Sequence, residues 1–384
     1  MNNSIACCGS VLGVLLISAC GPGDAPGATG GAGGQGGAVA SSTATGSSTG
    51  SSTATGSGAG GGGGGPIVDP VGTDGDGDFV IGPDYTDAPE IVKVAGVAQG
   101  KSFSFKMLSK DSAIYTGHDP TLKAALSGDF TREVEVVIPA TYVDGTEAPF
   151  MVVQDARDRD PIVNSINNLI ADAKNPFPPV IAIFVANGGN DSIGSERGLE
   201  YDTMSRLYQQ FIDTEVLPAI PKNSEVKAAY PNLTLTSNPE GRAAYGCSSG
   251  GAAALTMGWF GKDTYRRIVT YSGTFVDQQN PQAPTEAQYP NGAWEYTDQL
   301  IAGNTAKPLR VFLEAGEHDN GYTNDEASHH NWVMANQRVA VALKARSYHY
   351  RFVFAKGAGH CDGGPIRQTL PDTLRWMWRG YPVK

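Results

Sequence analysis

The sequence predicts an α/β fold, a mostly parallel central sheet flanked by helices, preceded by a disordered Gly/Ser/Thr linker. Three observations lead there. Across residues 93–384 short apolar runs alternate with segments of helical period. A serine set among glycines stands where one such run meets a helix-forming stretch. The glycines and the excess acids are crowded ahead of that region, so they describe a leash rather than the folded part.

Residues 1–20 read as an export leader. The stretch Val11 to Ala19 is apolar but far short of the roughly 20 residues that span a bilayer, which suits a signal-peptide core. It ends in Leu16-Ile17-Ser18-Ala19-Cys20, which resembles the bacterial lipobox, in which a Cys after small residues is lipidated and becomes the mature N-terminus. The n-region Met1-Asn2-Asn3-Ser4 departs from that pattern in having no Lys or Arg, and an ordinary cleaved leader is the alternative. Both readings export the protein. The lipobox reading anchors it through Cys20 to the cell envelope, at the outer membrane or cell surface, and gives the membrane as a partner through that lipid alone.

Residues 21–65 hold 19 of the 50 glycines, the rest being mostly Ser, Thr and Ala. Such a stretch has too little apolar surface to offset the entropy of ordering and is expected to be a disordered spacer. Residues 66–92 form an acidic lead-in. The first 92 residues carry eight acids and no Lys or Arg, or −8 of the net −11; from Lys93 onward 28 bases face 31 acids, and no basic run marks a nucleic-acid surface. Asp74-Gly75-Asp76-Gly77-Asp78 invites a calcium reading, but an EF-hand loop begun at Asp74 needs Gly sixth and Glu twelfth, where Phe79 and Tyr85 stand. It reads as a solvated acidic linker.

The domain proper spans residues 93–384. Strands are expected at Glu133–Ile138, Pro149–Gln154, Val180–Val185, Arg242–Tyr245, Arg267–Tyr271, Leu309–Leu313 and His349–Phe354. In Tyr201–Leu217 the apolar residues Met204, Leu207, Tyr208, Phe211 and Ile212 recur at three and four, predicting one amphipathic helix that stops before Pro218. Leu370, Leu374, Met377 and Trp378 mark a last helix with a buried face.

The chemistry centres on Gly246-Cys247-Ser248-Ser249-Gly250-Gly251, followed by Ala252-Ala253-Ala254-Leu255. This is G-x-S-x-G between strand and helix, a nucleophile elbow, where only small residues fit around a nucleophile held in strained geometry. The glycine register makes Ser248 the nucleophile and gives the N–H of Ser249 to the oxyanion hole. A serine hydroxyl needs a His base oriented by a carboxylate, in the chain order nucleophile, acid, His. His118 precedes the elbow, His349 lies inside a strand pattern, and His318, His329 and His330 stand beside the acid candidates. His360, between the last strand and the last helix, is the base. Asp319 is the chosen acid, with Glu317 as runner-up and Glu314 assigned to the strand. The second oxyanion donor belongs to the loop Asp155-Ala156-Arg157, with Ala156 and Arg157 as candidates. Trp294, Trp332 and Tyr322 could floor a pocket for an aryl or sugar ester, with core packing as the plain alternative.

The elbow, Glu200-Tyr201-Asp202, the run Asn331-Trp332 to Asn336-Gln337, and Leu370-Pro371-Asp372 to Trp376 and Trp378 together resemble the putative-esterase family of α/β-hydrolases, which includes enterochelin esterases, esterase D-like enzymes and bacterial feruloyl esterases. The resemblance runs from about Ile91 to the C-terminus. It implies a serine carboxylesterase with Ser248, Asp319 and His360 as its triad and a small-molecule ester as substrate, aryl, sugar or siderophore. No metal or dinucleotide motif is visible, and the chemistry asks for no cofactor. A hydrolase scaffold that only binds, and an acyltransferase or peptidase of the same fold, are the rival readings.

Of five cysteines, Cys247 and Cys361 alone fall in the domain, each beside a triad residue. Bringing Ser248 to His360 brings their neighbours together, and export exposes them to oxidising conditions, so a Cys247–Cys361 disulfide is expected. The same order of Cys-Ser, Asp and His-Cys resembles tannases and some fungal feruloyl esterases. Two small buried thiols are the alternative.

Overall fold

Branched and aromatic side chains buried on both faces build the middle of the sheet, as expected of parallel strands whose crossover helices cover both sides. The computed structural model describes residues 73–117, 129–190, 196–261, 263–278 and 289–383; the leader with Cys20, the linker 21–65 and His118 lie outside these. In chain order the strands are β1 (Gly77–Ile81), β2 (Lys101–Leu108), β3 (Thr131–Ile138), β4 (Glu147–Ala148), β5 (Phe150–Gln154), β6 (Ile181–Val185), β7 (Thr234–Leu235), β8 (Arg242–Cys247), β9 (Arg267–Tyr271), β10 (Arg310–Gly316) and β11 (His349–Ala355). Nine of them form one sheet in the order β1-β11-β10-β9-β8-β5-β6-β3-β2, while β4 and β7 make a short pair of their own. The run from β1 to β6 is parallel throughout. Only β3 opposes its neighbours β6 and β2. This is the α/β-hydrolase fold.

Helices cover both faces. They are α1 (Arg159–Ala171), α2 (Glu196–Tyr201), α3 (Leu207–Phe211), α4 (Leu217–Ala219), α5 (Ser224–Ala229), α6 (Ser249–Phe260), α7 (Trp332–Ala345) and α8 (Gly363–Met377). Val152, Ala244, Ile268 and Val311 point to one face, where Phe211 of α3, Leu255 of α6 and Val339 of α7 meet them. Alternate residues Val153, Tyr245, Val269 and Phe312 point to the other and pack on Ile166 of α1 and Leu370 of α8. Period-two alternation along each strand thus supplies both cores from one sheet. Helix α6 is apolar all round and eleven of its twelve residues are buried, as a helix wedged against the sheet centre must be.

The seven expected strands are present, with ends shifted by at most three residues. Four were not expected: β1, β2 and the short pair β4 and β7. β2 reads Lys-Ser-Phe-Ser-Phe-Lys, an alternating edge strand with Ser102, Ser104 and Lys106 on its open face. β1 lies in the acidic lead-in, which is docked rather than solvated. Asp76 takes hydrogen bonds from Trp376 Nε1 (2.8 Å) and meets His349 Nδ1 (2.7 Å), and Tyr350 Oη donates to Asp78 (3.1 Å). Arg351 Nε donates to the Gly75 carbonyl at 2.6 Å. Carboxylates read as solvent-facing are instead the anchors of an edge strand, because their partners lie some 270 or more residues away in sequence.

The helix expected over Tyr201–Leu217 is also revised. The chain breaks after Tyr201, resumes as α3, widens into a π turn at Ile212–Val216 and passes Pro218 through α4 to a 3-10 turn ending at Lys222. Leu217 N–H donates to the Ile212 carbonyl, and Pro218 falls where the ladder changes step and no amide is required.

Because Asp76 is the shared acceptor for a buried indole N–H and the half-buried His349, Asp76→Ala should lower stability by about 2–3 kcal/mol in urea unfolding. A change under about 0.5 kcal/mol would show that β1 is held by its backbone ladder alone.

Candidate active site

The turn between β8 and α6 is as tight as the sequence requires. Ser248 sits at φ 59°, ψ −133°, a conformation L-residues avoid, and its N–H donates to the Tyr271 carbonyl (3.0 Å). A Cβ on Gly246 would lie 2.2 Å from the backbone of Gly250, so glycine is the one residue that fits there. A Cβ on Gly250 would press on Asp155 and Gln154, at 3.0 and 3.1 Å. Ser249 begins α6, where an N–H has no intrahelical partner and the helix dipole is positive.

His360 Nδ1 lies 2.5 Å from Asp319 Oδ1. Asp319 is fully buried, and its Oδ1 also accepts from Asn320 N–H (2.7 Å). Glu317, the other acid considered, is exposed and accepts from Gly357 N–H (2.8 Å), away from the imidazole. Glu314 is buried on β10, and burial, with Asp319 and Asp362 adding to it, pushes its carboxyl well above the usual range.

One turn that sequence reasoning passed over ties these parts together. After β9 the chain runs Ser272-Gly273-Thr274, all in the interior. Ser272 N–H donates to the Glu314 carbonyl (2.8 Å), and Ser272 Oγ accepts from Cys361 N–H (2.9 Å). Thr274 N–H donates to the Ser248 carbonyl (3.0 Å), and Thr274 Oγ1 lies 3.3 Å from Ser248 Oγ. The turn therefore touches the strand of the acid, the loop of the histidine and the elbow. Asn336 of α7 donates to the Gly273 carbonyl (2.9 Å), and Trp332 Nε1 to Thr274 Oγ1 (3.1 Å). These contacts account for two members of the Asn331-Trp332 to Asn336-Gln337 run. The signal was present as a Ser-Gly-Thr directly after a strand, but small polar residues there read as an ordinary turn.

Cys247 and Cys361 are joined in a disulfide with Cα atoms 6.1 Å apart, bridging 114 residues of sequence. It links the residue before Ser248 to the residue after His360. The loop Asp155-Ala156 lies beside the elbow with both residues at positive φ (60° and 50°). Asp155 N–H is committed to Tyr201 Oη (3.1 Å), and its carboxylate to Arg197 in a two-toothed pair (2.8 and 2.9 Å). Ala156 and Arg157 follow in the loop, and the Arg157 side chain is turned to Asp158 (2.8 Å).

The Glu200-Tyr201-Asp202 segment supports the site from behind. Glu200 pairs with buried Arg132, and Tyr201 holds Asp155 as above. Asp202 Oδ2 accepts from Ser249 Oγ and from Gln278 Nε2, each at 3.1 Å. Burial nevertheless pushes the Asp202 carboxyl up to about 7, the two donated bonds opposing it. Of the three aromatics considered for a pocket floor, Trp332 meets the His360 ring edge-on (centroids 6.1 Å apart). Tyr322 is half exposed and stands against His318, while Trp294 is buried beneath Arg338 and His329. Among the described residues, no group of three or more His, Cys, Asp or Glu is placed to hold a metal.

Residues 127–377 match the family described as putative esterase, about two thirds of the chain. The chain belongs to that family. A ferulic acid esterase from the anaerobic fungus Anaeromyces mucronatus is similar in structure, with 12% identity, 78% of this chain and 98% of that one covered, and a TM-score of 0.51. An enterobactin esterase from Shigella flexneri aligns at 20% identity and a TM-score of 0.45. That alignment covers 65% of this chain and 55% of the Shigella protein, so the chain spans little more than half of its length. At these identities the neighbours bear on the fold alone. No curated protein matches the sequence.

Two outcomes are expected. Thiol titration of the denatured chain should rise by two on reduction of the Cys247–Cys361 bond, and no rise would exclude the bond. Asp202 has a higher pKa folded, about 7, than unfolded, roughly 4, so its contribution to stability is full below pH 4 and lost as pH rises through 7. Asp202→Asn should flatten that decline in unfolding measured from pH 4 to 8. An unchanged slope would place the decline on other groups.

Proposed function

We propose that this esterase-family chain is a serine carboxylesterase that works through an acyl-enzyme, with Ser248 as nucleophile, His360 as base and then acid, and Asp319 as orienter. The carrying observation is the buried Asp319 carboxylate on His360 Nδ1, with the loop of that histidine bonded covalently to the residue preceding Ser248. His360 Nε2 takes the Ser248 proton as Oγ bonds the substrate's acyl carbon, and the carbonyl π pair moves to oxygen. Ser249 N–H and an N–H of Ala156 or Arg157 stabilise that oxyanion. Its collapse expels the alcohol, which takes the proton from His360, and water then repeats the sequence on the acyl-enzyme. Asp319 keeps the Nδ1 proton in place and favours the imidazolium.

The substrate in this reading is a small-molecule ester. The indole of Trp332 at the His360 ring and the half-exposed Tyr322 favour an aryl or sugar ester, with a siderophore ester as the third class to assay. The protein is exported and held at the cell envelope by lipid on Cys20, with residues 21–65 as the spacer.

A fluorophosphonate probe should label the wild type and leave Ser248→Ala unlabelled. Asp319→Asn should lower kcat for p-nitrophenyl, feruloyl or siderophore esters by roughly 1,000-fold or more, as for other triads whose histidine loses its acid. Well-folded wild type that takes no label would instead make the chain a binding protein on a hydrolase scaffold.

A further inference from the structure

We propose that Thr274 and Trp332 are positioning residues for the nucleophile: an indole-to-hydroxyl relay sets where the Ser248 hydroxyl rests and which way its proton points. The proposal rests on the reading of Ser248 as the nucleophile.

The geometry is a short chain of polar atoms in a dry place. Trp332 Nε1 lies 3.1 Å from Thr274 Oγ1, which lies 3.3 Å from Ser248 Oγ. Thr274 and Trp332 are 1% and 9% exposed, so the Trp332–Thr274 bond is shielded from water, while Ser248 is half-buried at the open end. The relay assigns the donor and acceptor roles. An indole N–H only donates, so Thr274 Oγ1 accepts from it. The threonine's single proton is then free to be donated to Ser248 Oγ. With one lone pair of Oγ engaged by Thr274, the serine's own proton is directed away from Thr274, toward the side of His360.

Both ends of the relay are fixed by backbone. Thr274 N–H is bonded to the Ser248 carbonyl (3.0 Å), so the two hydroxyls cannot drift apart without breaking the elbow. Trp332 is the first residue of α7, capped by Asn331, whose side chain accepts from Met334 N–H (3.0 Å), and four residues on Asn336 is bonded to the Gly273 carbonyl. The same indole packs edge-on against the His360 ring. One side chain of α7 thus adjusts the nucleophile through its N–H and the base through its edge.

In the reaction no atom of the relay is consumed. Thr274 keeps its proton, His360 takes that of Ser248, and the Thr274 hydrogen bond is released as Oγ becomes the ester oxygen. What the relay supplies is alignment before attack, a contribution for which a misplacement of about 1 Å costs on the order of 100-fold.

The test reads the rate of fluorophosphonate labelling, which needs no knowledge of the natural ester, on the full chain. Thr274→Val, which keeps shape and removes the hydroxyl, should label roughly 10- to 100-fold more slowly with an unchanged thermal midpoint. Thr274→Ser should restore the rate to within about 3-fold, and Trp332→Phe, which removes only the N–H donor and part of the ring, should fall between. Labelling of Thr274→Val at the wild-type rate overturns the proposal, as does a Thr274→Ser variant as slow as Thr274→Val, which would make the effect one of packing. If Thr274→Val fails to fold, Trp332→Phe decides: a wild-type rate there removes the relay. Wild type that takes no label is the distinct result in which the nucleophile assignment itself fails and this proposal with it.

Discussion

The buried turn Ser272-Gly273-Thr274 is the constraint on which the site depends. Three segments distant in sequence converge on it, and each arrives by a backbone hydrogen bond in a water-free interior. An unpaired buried amide costs on the order of 1–3 kcal/mol, so no one of these segments can shift alone. Ser272 adopts a positive φ (47°) to serve two of them at once, its N–H toward β10 and its hydroxyl toward the His360 loop. A strained residue that persists in a fully bonded surrounding is the pattern expected where geometry matters more than local comfort.

Covalent and non-covalent restraints reinforce each other around this turn. The Cys247–Cys361 disulfide closes a loop of over a hundred residues between elbow and histidine, and the Cys361 N–H bond to Ser272 fixes the same loop from its other side. On the chain entropy model a loop of that size is worth about 4–5 kcal/mol in the oxidised protein. Glycine does the complementary work: Gly246 and Gly250 admit the backbone approaches that bring Asp155 and α6 against the elbow. Behind them, Arg132 pairs with Glu200 and Arg197 holds the Asp155 loop, both ion pairs shielded from solvent, where such pairs are costly to break.

Much of the fold was legible from period and punctuation. The central strands are short, apolar and β-branched, and nothing but a buried parallel strand suits Val180 to Val185 or Leu309 to Leu313. The elbow was legible for the same reason, since G-x-S-x-G between strand and helix is a local steric demand. Edge elements were not. β1 is only five residues long and starts inside the Asp-Gly run, so its start reads as a continuation of the linker, and only Arg351, His349 and Trp376, far along the chain, turn Gly75, Asp76 and their neighbours into anchors. The Tyr201–Leu217 segment misled in another way: its apolar spacing was real, but a π turn and a break shift the helical phase, and spacing alone does not report phase.

What the sequence determined by itself was every feature set by neighbouring residues: the alternation that makes an α/β sheet, the tight turn around Ser248, and the separation of a Gly-rich acidic leader from a nearly charge-balanced domain. What the tertiary structure decided was every feature set by approach of distant segments. It placed Asp319 rather than Glu317 on the imidazole, left Glu314 buried on β10, docked the start of the acidic lead-in as a strand, and brought Thr274 to the serine and Trp332 to Thr274. The reason is physical. Steric and conformational rules act over a few residues and are written locally, whereas desolvation and hydrogen bonding between remote groups exist only once the chain has folded around them.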